Sequence, residues 1–232
     1  MENRIIIHNE NKEIELIDVS EIFVEVTNGE LLLKLAYFEP INELKIKGNI
    51  NNNGHLNVVF VDYSKKSINC VARIDLNEIE ATCDWKLASL SSLNNTKKFD
   101  ISFIHNKEKT IAVMNNYGVS KDKANIIFTG VNHIKEKCSK SITRQNAKII
   151  LFDEQSKGSA SPILKIDEND VVASHGAIVG QISDEHMFYL MSRGLNEKEA
   201  RELIIKGYLS PFTSVYSEKT QERIALAIKE AI

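Results

Sequence analysis

Proline, cysteine and tryptophan are scarce in this 232-residue chain, which has three, three and one of them. The odd, sparse set of Cys70, Cys83 and Cys138 forms no C-x-x-C pair and is no disulfide framework. Each lies in strand-like sequence and is expected as a small buried hydrophobe rather than a metal ligand or nucleophile. No stretch approaches the ~18 apolar residues that span a bilayer, which speaks against a membrane partner. The apolar run in Met1-Glu2-Asn3-Arg4-Ile5-Ile6-Ile7-His8 is too short for a signal segment, so a cytoplasmic location is expected. Neither G-x-x-x-x-G-K-[ST] nor G-x-G-x-x-G occurs, and G-x-S-x-G is absent too, which removes P-loop, Rossmann and hydrolase-elbow chemistry. With 29 basic against 32 acidic residues and no Lys/Arg block, nucleic acid is not expected as a partner.

What is present, from about Arg4 to Val172, is a succession of short apolar runs, either alternating or continuous. Leu31-Leu32-Leu33-Lys34-Leu35, Leu56-Asn57-Val58-Val59-Phe60-Val61, Thr110-Ile111-Ala112-Val113-Met114 and Ile149-Ile150-Leu151-Phe152 are examples. Their β-branched content and the Asn, Asp, Gly, Ser and Lys between them predict strands. Pro40 and Pro162 are expected at the edges of runs, where a missing N–H costs least. A sandwich of hairpins and a stacked solenoid both suit many short strands. Hairpins favour Asn-Gly turns, and only Asn28-Gly29 and Asn53-Gly54 offer them. Apolar runs recur at irregular intervals, which a solenoid with variable corners tolerates. These cues alone leave the two architectures nearly tied.

After Val172 the period changes, which predicts domains at 1–172 and 173–232. Ser183-Asp184-Glu185 can open a helix that Gly194 closes. Asn196-Glu197-Lys198-Glu199 has the form of a capping box before a helix carrying Ala200, Leu203 and Ile204 and ending near Gly207. A third helix is expected from Ser217 to Ile232. The three should bury their faces on one another or on the last coils, and the tail is a candidate cap for the stack. The stripe Phe188, Met191 and Leu195 reads as core.

One stretch carries more information than the rest. Ser174-His175-Gly176-Ala177, then Gly180-Gln181, then Phe188-Tyr189-Leu190-Met191-Ser192-Arg193-Gly194 resembles the S-H-G-A-x-x-G and F-Y-L-x-S-R-G signature of the SufB/SufD family of the Suf iron-sulfur cluster assembly pathway. The likeness extends upstream through Asn125-Ile126-Ile127-Phe128-Thr129-Gly130, Gln145-Asn146, Pro162-Ile163-Leu164-Lys165-Ile166 and Asp170-Val171-Val172. Several landmarks in order are harder to obtain by chance than one motif. The resemblance implies a right-handed parallel β-helix with a C-terminal helical region onto which a SufC-type ABC ATPase docks. It also implies a shortened, SufD-like subunit without the N-terminal helical region of larger members, non-catalytic in itself, that pairs with a SufB-like scaffold.

On the sequence alone His175 would be a structural histidine. The resemblance makes it a candidate metal ligand for a transient iron-sulfur cluster at the subunit interface, with no cofactor bound permanently and no catalytic residue. Imidazole suits iron, and Gly176 lets a partner approach. SufB-like chains carry a glutamate where this chain has Gly176 and a cysteine on the rung of Arg144-Gln145-Asn146. Both differences remove ligands, and thiolate is the soft donor that iron-sulfur chemistry needs. They count against the alternative of a homodimer doing the work of both subunits. A β-helix carbohydrate-active enzyme, the other alternative, would need converging carboxylates or a basic groove. Asp153-Glu154, Asp167-Glu168 and Asp184-Glu185 instead read as turns or a helix start. Of the other histidines, His105 and His133 are expected to line a coil or its surface, and His186 to be solvated.

Overall fold

The computed structural model describes residues 3–231, apart from the Ser210 side chain. Among these residues fourteen strands alternate between two parallel sheets. One sheet holds β1 (Asn3–His8), β3 (Glu21–Thr27), β5 (Glu43–Ile50), β7 (Ile68–Leu76), β9 (Thr96–His105), β11 (Asn125–Ile134) and β13 (Lys157–Ile166), in that order. The facing sheet holds β2 (Asn11–Ile17), β4 (Glu30–Tyr37), β6 (His55–Asp62), β8 (Thr82–Ser91), β10 (Ile111–Ser120), β12 (Ile142–Leu151) and β14 (Val172–Gln181). Each pair of strands is one coil of a parallel β-solenoid. The solenoid runs to Gln181, so the expected boundary at 172 falls one strand too early.

Coil length is not constant. Asn3 pairs with Ile22, Glu21 with Lys45, Ile68 with Lys97 and Asn125 with Lys157, so the repeat grows from 19 to 24, 29 and 32 residues. Left-handed backbone turns the chain between sheets at Asn9, Asn28, Asn53, Glu80, Lys109 and Lys140. Asn-Gly therefore serves here as a solenoid corner and not as a hairpin. Gly29 follows one such residue, and an ideal Cβ there would stand 2.1 Å from the Glu10 carbonyl oxygen. Stacked coils leave no room for a side chain at that point. The same series of connections carries an amide ladder. Asn51 donates to Thr27, Asn77 to Asn51 at 3.4 Å, and Asn106 to Asn77 at 3.0 Å.

Between the sheets, inward side chains stack in columns as the period of two dictates. Phe60 meets Trp85 at 6.1 Å and Phe99 at 5.8 Å, both edge to face, and each such pair adds about 0.5–1.5 kcal/mol beyond area burial. Cys70, Cys83 and Cys138 are buried as expected. Burial pushes the Cys70 and Cys83 thiols far above their ordinary range, so they stay protonated and inert. Lys97 and Asp62 form a fully buried ion pair at 2.9 Å, with Ser64 and Ser89 also donating to the carboxylate.

Three helices follow, α1 (Asp184–Ser192), α2 (Glu197–Leu209) and α3 (Glu218–Glu230). The capping box is present: Asn196 N donates to Glu199 at 2.8 Å, and Glu199 N donates to Asn196 Oδ1 at 2.9 Å. The helices do not cap the stack. Ile205, Leu209, Phe212, Ile224 and Ile228 pack on Ala36, Val59, Val61, Ala88 and Val119, the outward face of the even-numbered sheet. The physical reason is visible in the strands. The second halves of β4 and β6 are buried on both faces, and Ala36, Val59 and Val61 make their outer side apolar enough to need a cover. β5 alternates strictly and faces solvent. Tyr216 fastens this cover, its hydroxyl lying 2.8 Å from both Leu35 O and Val59 O.

Candidate functional site at the end of the solenoid

His175 lies within β14. Its register partner is Gln145 on β12, which continues downward through Met114, Trp85, Val58 and Leu33. These five inward residues are buried, whereas His175 is exposed, because no described strand follows β14. The histidine is thus the last member of a core column, set where the column meets solvent. Neither ring nitrogen is hydrogen-bonded among the described residues, which leaves both open to a donor, acceptor or metal.

Around His175 apolar side chains are exposed on both faces of the end strands. Val179 and Ile166 hold inward positions and Val172, Ile178 and Ile163 outward ones, Ile178 at 61%. β13 and β14 each pair on one side only. Pro162 sits inside β13, opposite Gly130, rather than at the edge of a run. It is tolerated there because β13 is itself an edge strand. Gly176 stands in register with Asn146 on the outward face. An ideal Cβ on Gly176 would be 3.7 Å from Asn146 Oδ1, ordinary contact, so the packing of this chain does not itself demand glycine.

Among the described residues no group of three or more His, Cys, Asp or Glu side chains could hold a metal ion. His175 is one donor, and the rest of a coordination sphere would have to come from elsewhere. His133 pairs on the outer surface with Asp167 at 2.7 Å. His105 is buried with Nδ1 2.7 Å from Thr110 Oγ1, and His186 is exposed. Asp153 takes Arg201 at 3.0 Å and the Asp122 amide at 2.6 Å, and Glu168 takes the Lys137 amide. These carboxylates are tied down in corners.

A second exposed feature adjoins the end. No residue of α1 is buried, and Phe188, Tyr189 and Met191 are 74%, 57% and 46% exposed. Of the expected core stripe, Phe188 and Met191 therefore face solvent, while Leu195 is half-buried. Beside it lies a hollow of about 390 Å³ lined by Ile182, Met187, Met191, Glu154, Asp184 and Arg201. α1 was legible from its caps, but periodicity could not show that its apolar side has no neighbour.

The family profile described as SUF system FeS cluster assembly, SufBD core domain, matches residues 40–208. The chain belongs to the SufBD core family. Relatives include the iron-sulfur cluster assembly protein SufD of Bacillus subtilis (strain 168), 37% identical over 128 residues that make up 55% of this chain and 29% of that protein. SufBD family proteins of Staphylococcus saprophyticus and Staphylococcus haemolyticus are each 30% identical over 110 residues, 47% of this chain and 24% of theirs. The chain spans less than a third of the length of these curated relatives. The SufBD match takes in most of the solenoid, His175 and the start of the helical cover. No helix among the described residues is long and apolar enough to cross a membrane.

Proposed function

We propose that this chain is a SufD-type, non-catalytic subunit of a cytoplasmic Suf iron-sulfur assembly complex, pairing with a SufB-like scaffold across the open end of the solenoid. The observation that carries this reading is the coincidence of His175 with uncovered apolar residues and two free strand edges. An edge of unpaired N–H and C=O groups is a template for another strand, and β-augmentation by a partner would cover Val172, Ile178 and Val179 while enclosing His175. In that enclosure His175 offers one imidazole nitrogen to a nascent cluster, which is cargo rather than a resident group. The softer ligands would come from the partner, since Gly176 and Asn146 supply neither carboxylate nor thiolate.

The SufC-type ATPase docks in this reading on the helical cover, through the exposed Phe188, Tyr189 and Met191 of α1. Aromatic and thioether side chains next to a hollow are the composition of an interface core. The energy of assembly comes from that ATPase, and this chain hydrolyses nothing. Co-expression with a SufB-like scaffold and a SufC-type ATPase, followed by co-purification with iron and sulfide analysis, tests the reading. A stable ternary complex that carries iron is expected. Recovery of this chain alone at native expression levels would refute it.

A further inference from the structure

The filling of the solenoid changes character in its last coils. Inward positions of β10, β11 and β12 carry the buried Asn116, Asn132, Thr143 and Gln145, where earlier coils carry Trp85, Leu87 and Phe103. Two rungs cross the interior from sheet to sheet. Asn132 Nδ2 donates to Thr143 Oγ1 at 2.5 Å, and Gln145 Nε2 donates to Ile163 O at 3.1 Å. The second bond fixes the amide, because turning it over would set one oxygen against another. Gln145 Oε1 is therefore an acceptor without a partner on a side chain 2% exposed, and Asn116, also 2% exposed, has its Oδ1 in the same condition.

Both residues line one hollow, together with Met114, Phe128, Gly130 and Pro162. The centre of a water-sized molecule can move there through about 10 Å³, roughly what a single water requires. Gly130 makes the space: an ideal Cβ on it would stand 2.7 Å from Gln145 Oε1 and 3.0 Å from Met114 Sδ. The chemistry of the lining selects the guest. Two carbonyl oxygens accept and donate nothing, so an anion is excluded, while an apolar guest would leave both acceptors unsatisfied.

We propose that this hollow is a binding site for one water molecule, which donates one hydrogen to Asn116 Oδ1 and the other to Gln145 Oε1. The site joins β10 to β12 one rung below His175. Crystallography of the wild-type chain at atomic resolution tests it. A single ordered peak at about 2.7–3.2 Å from both oxygens is expected. A hollow without density, or Asn116 and Gln145 bonded to each other, would overturn the proposal. In solution, Asn116→Leu and Gln145→Met should not act additively. Once the first substitution has removed one partner of the water, the second should lower the melting temperature less than it does alone. Strict additivity of the two shifts would count against a shared water, and the crystallographic result decides by itself should a variant not fold.

Discussion

Glu15 Oε2, on the second strand, accepts the backbone amide of Ser217 at 3.0 Å, across 202 residues of chain. Glu15 Oε1 takes the hydroxyls of Ser217 at 2.9 Å and Thr220 at 2.5 Å. Ser217 makes no side-chain cap of its own, so the strand supplies the cap of α3. A carboxylate there also meets the positive end of the helix dipole. Burial alone would raise the pKa of Glu15, but hydrogen bonds from Thr220, Ser217 and Lys34 outweigh it and hold the carboxyl below its usual range.

Glu15→Ala should therefore loosen α3 from the first coils, costing about 1–2 kcal/mol as for the loss of a helix cap. The melting temperature should fall by about 2–4 °C per kcal/mol. In the wild type the contribution is present at and above the ordinary carboxylate range and is lost as pH falls through the depressed folded pKa. An unchanged melting temperature for the variant at neutral pH would remove Glu15 from the cap.

His105 gives a second pH dependence of known sign. Burial, aided by the charge of His133, pushes its pKa down from 6.5 to about 4. The unfolded chain takes up the proton first, so stability should be fully present above about pH 6.5 and decline toward pH 4. The whole loss is on the order of 3 kcal/mol. Denaturant titrations across this window on wild type and His105→Gln should show the decline much reduced in the variant. Parallel curves would contradict the buried, neutral imidazole.

The Lys97–Asp62 pair is a matter of satisfied burial more than of net attraction. Desolvation holds the lysine pKa below its ordinary value, against the pull of Asp62. Lys97→Met leaves a buried carboxylate without its countercharge and should cost about 3–5 kcal/mol, whereas adding Asp62→Leu should recover part of the loss. Chemical denaturation of the two variants checks the order. A double variant less stable than the single one would show that the pair itself supplies the stability.

His175→Ala should leave the melting temperature close to wild type, because the exposed ring makes no hydrogen bond among the described residues. Iron retained by the assembled complex should fall. Normal iron content in a folded variant complex would end the ligand role.

Phe188→Ala with Tyr189→Ala tests the other exposed surface. Phe188 and Tyr189 are 74% and 57% exposed, so circular dichroism and the melting temperature should hardly change. Recovery of the ATPase in co-purification should drop at least tenfold, the equivalent of about 1.4 kcal/mol. Undiminished recovery would place the docking surface elsewhere.

Strands, helix starts and the buried character of the cysteines were legible because each rests on local chemistry. Period-two runs such as Leu44, Ile46 and Gly48 set one face inward, and Asn196 with Glu199 closes a capping box whatever lies nearby. Even the covered sheet left a mark, in the unbroken Val58-Val59-Phe60-Val61. The repeat itself was hidden, since coils that grow from 19 to 32 residues have no fixed period to detect. Pro162 misled for a related reason: an edge strand and the end of a strand look alike until the neighbours are known.

The amino-acid sequence by itself determined that the chain builds short strands followed by three helices, and the signature around His175 pointed to the SufB/SufD family. Only the tertiary structure decided what those pieces face. Exposure is a property of neighbours and not of residues, so Gln145 and His175 share one inward column yet differ in burial by a single missing strand. In the same way Phe188 has the composition of core and the position of surface, and Glu15 becomes a helix cap only because stacking brings the first coils beside Ser217.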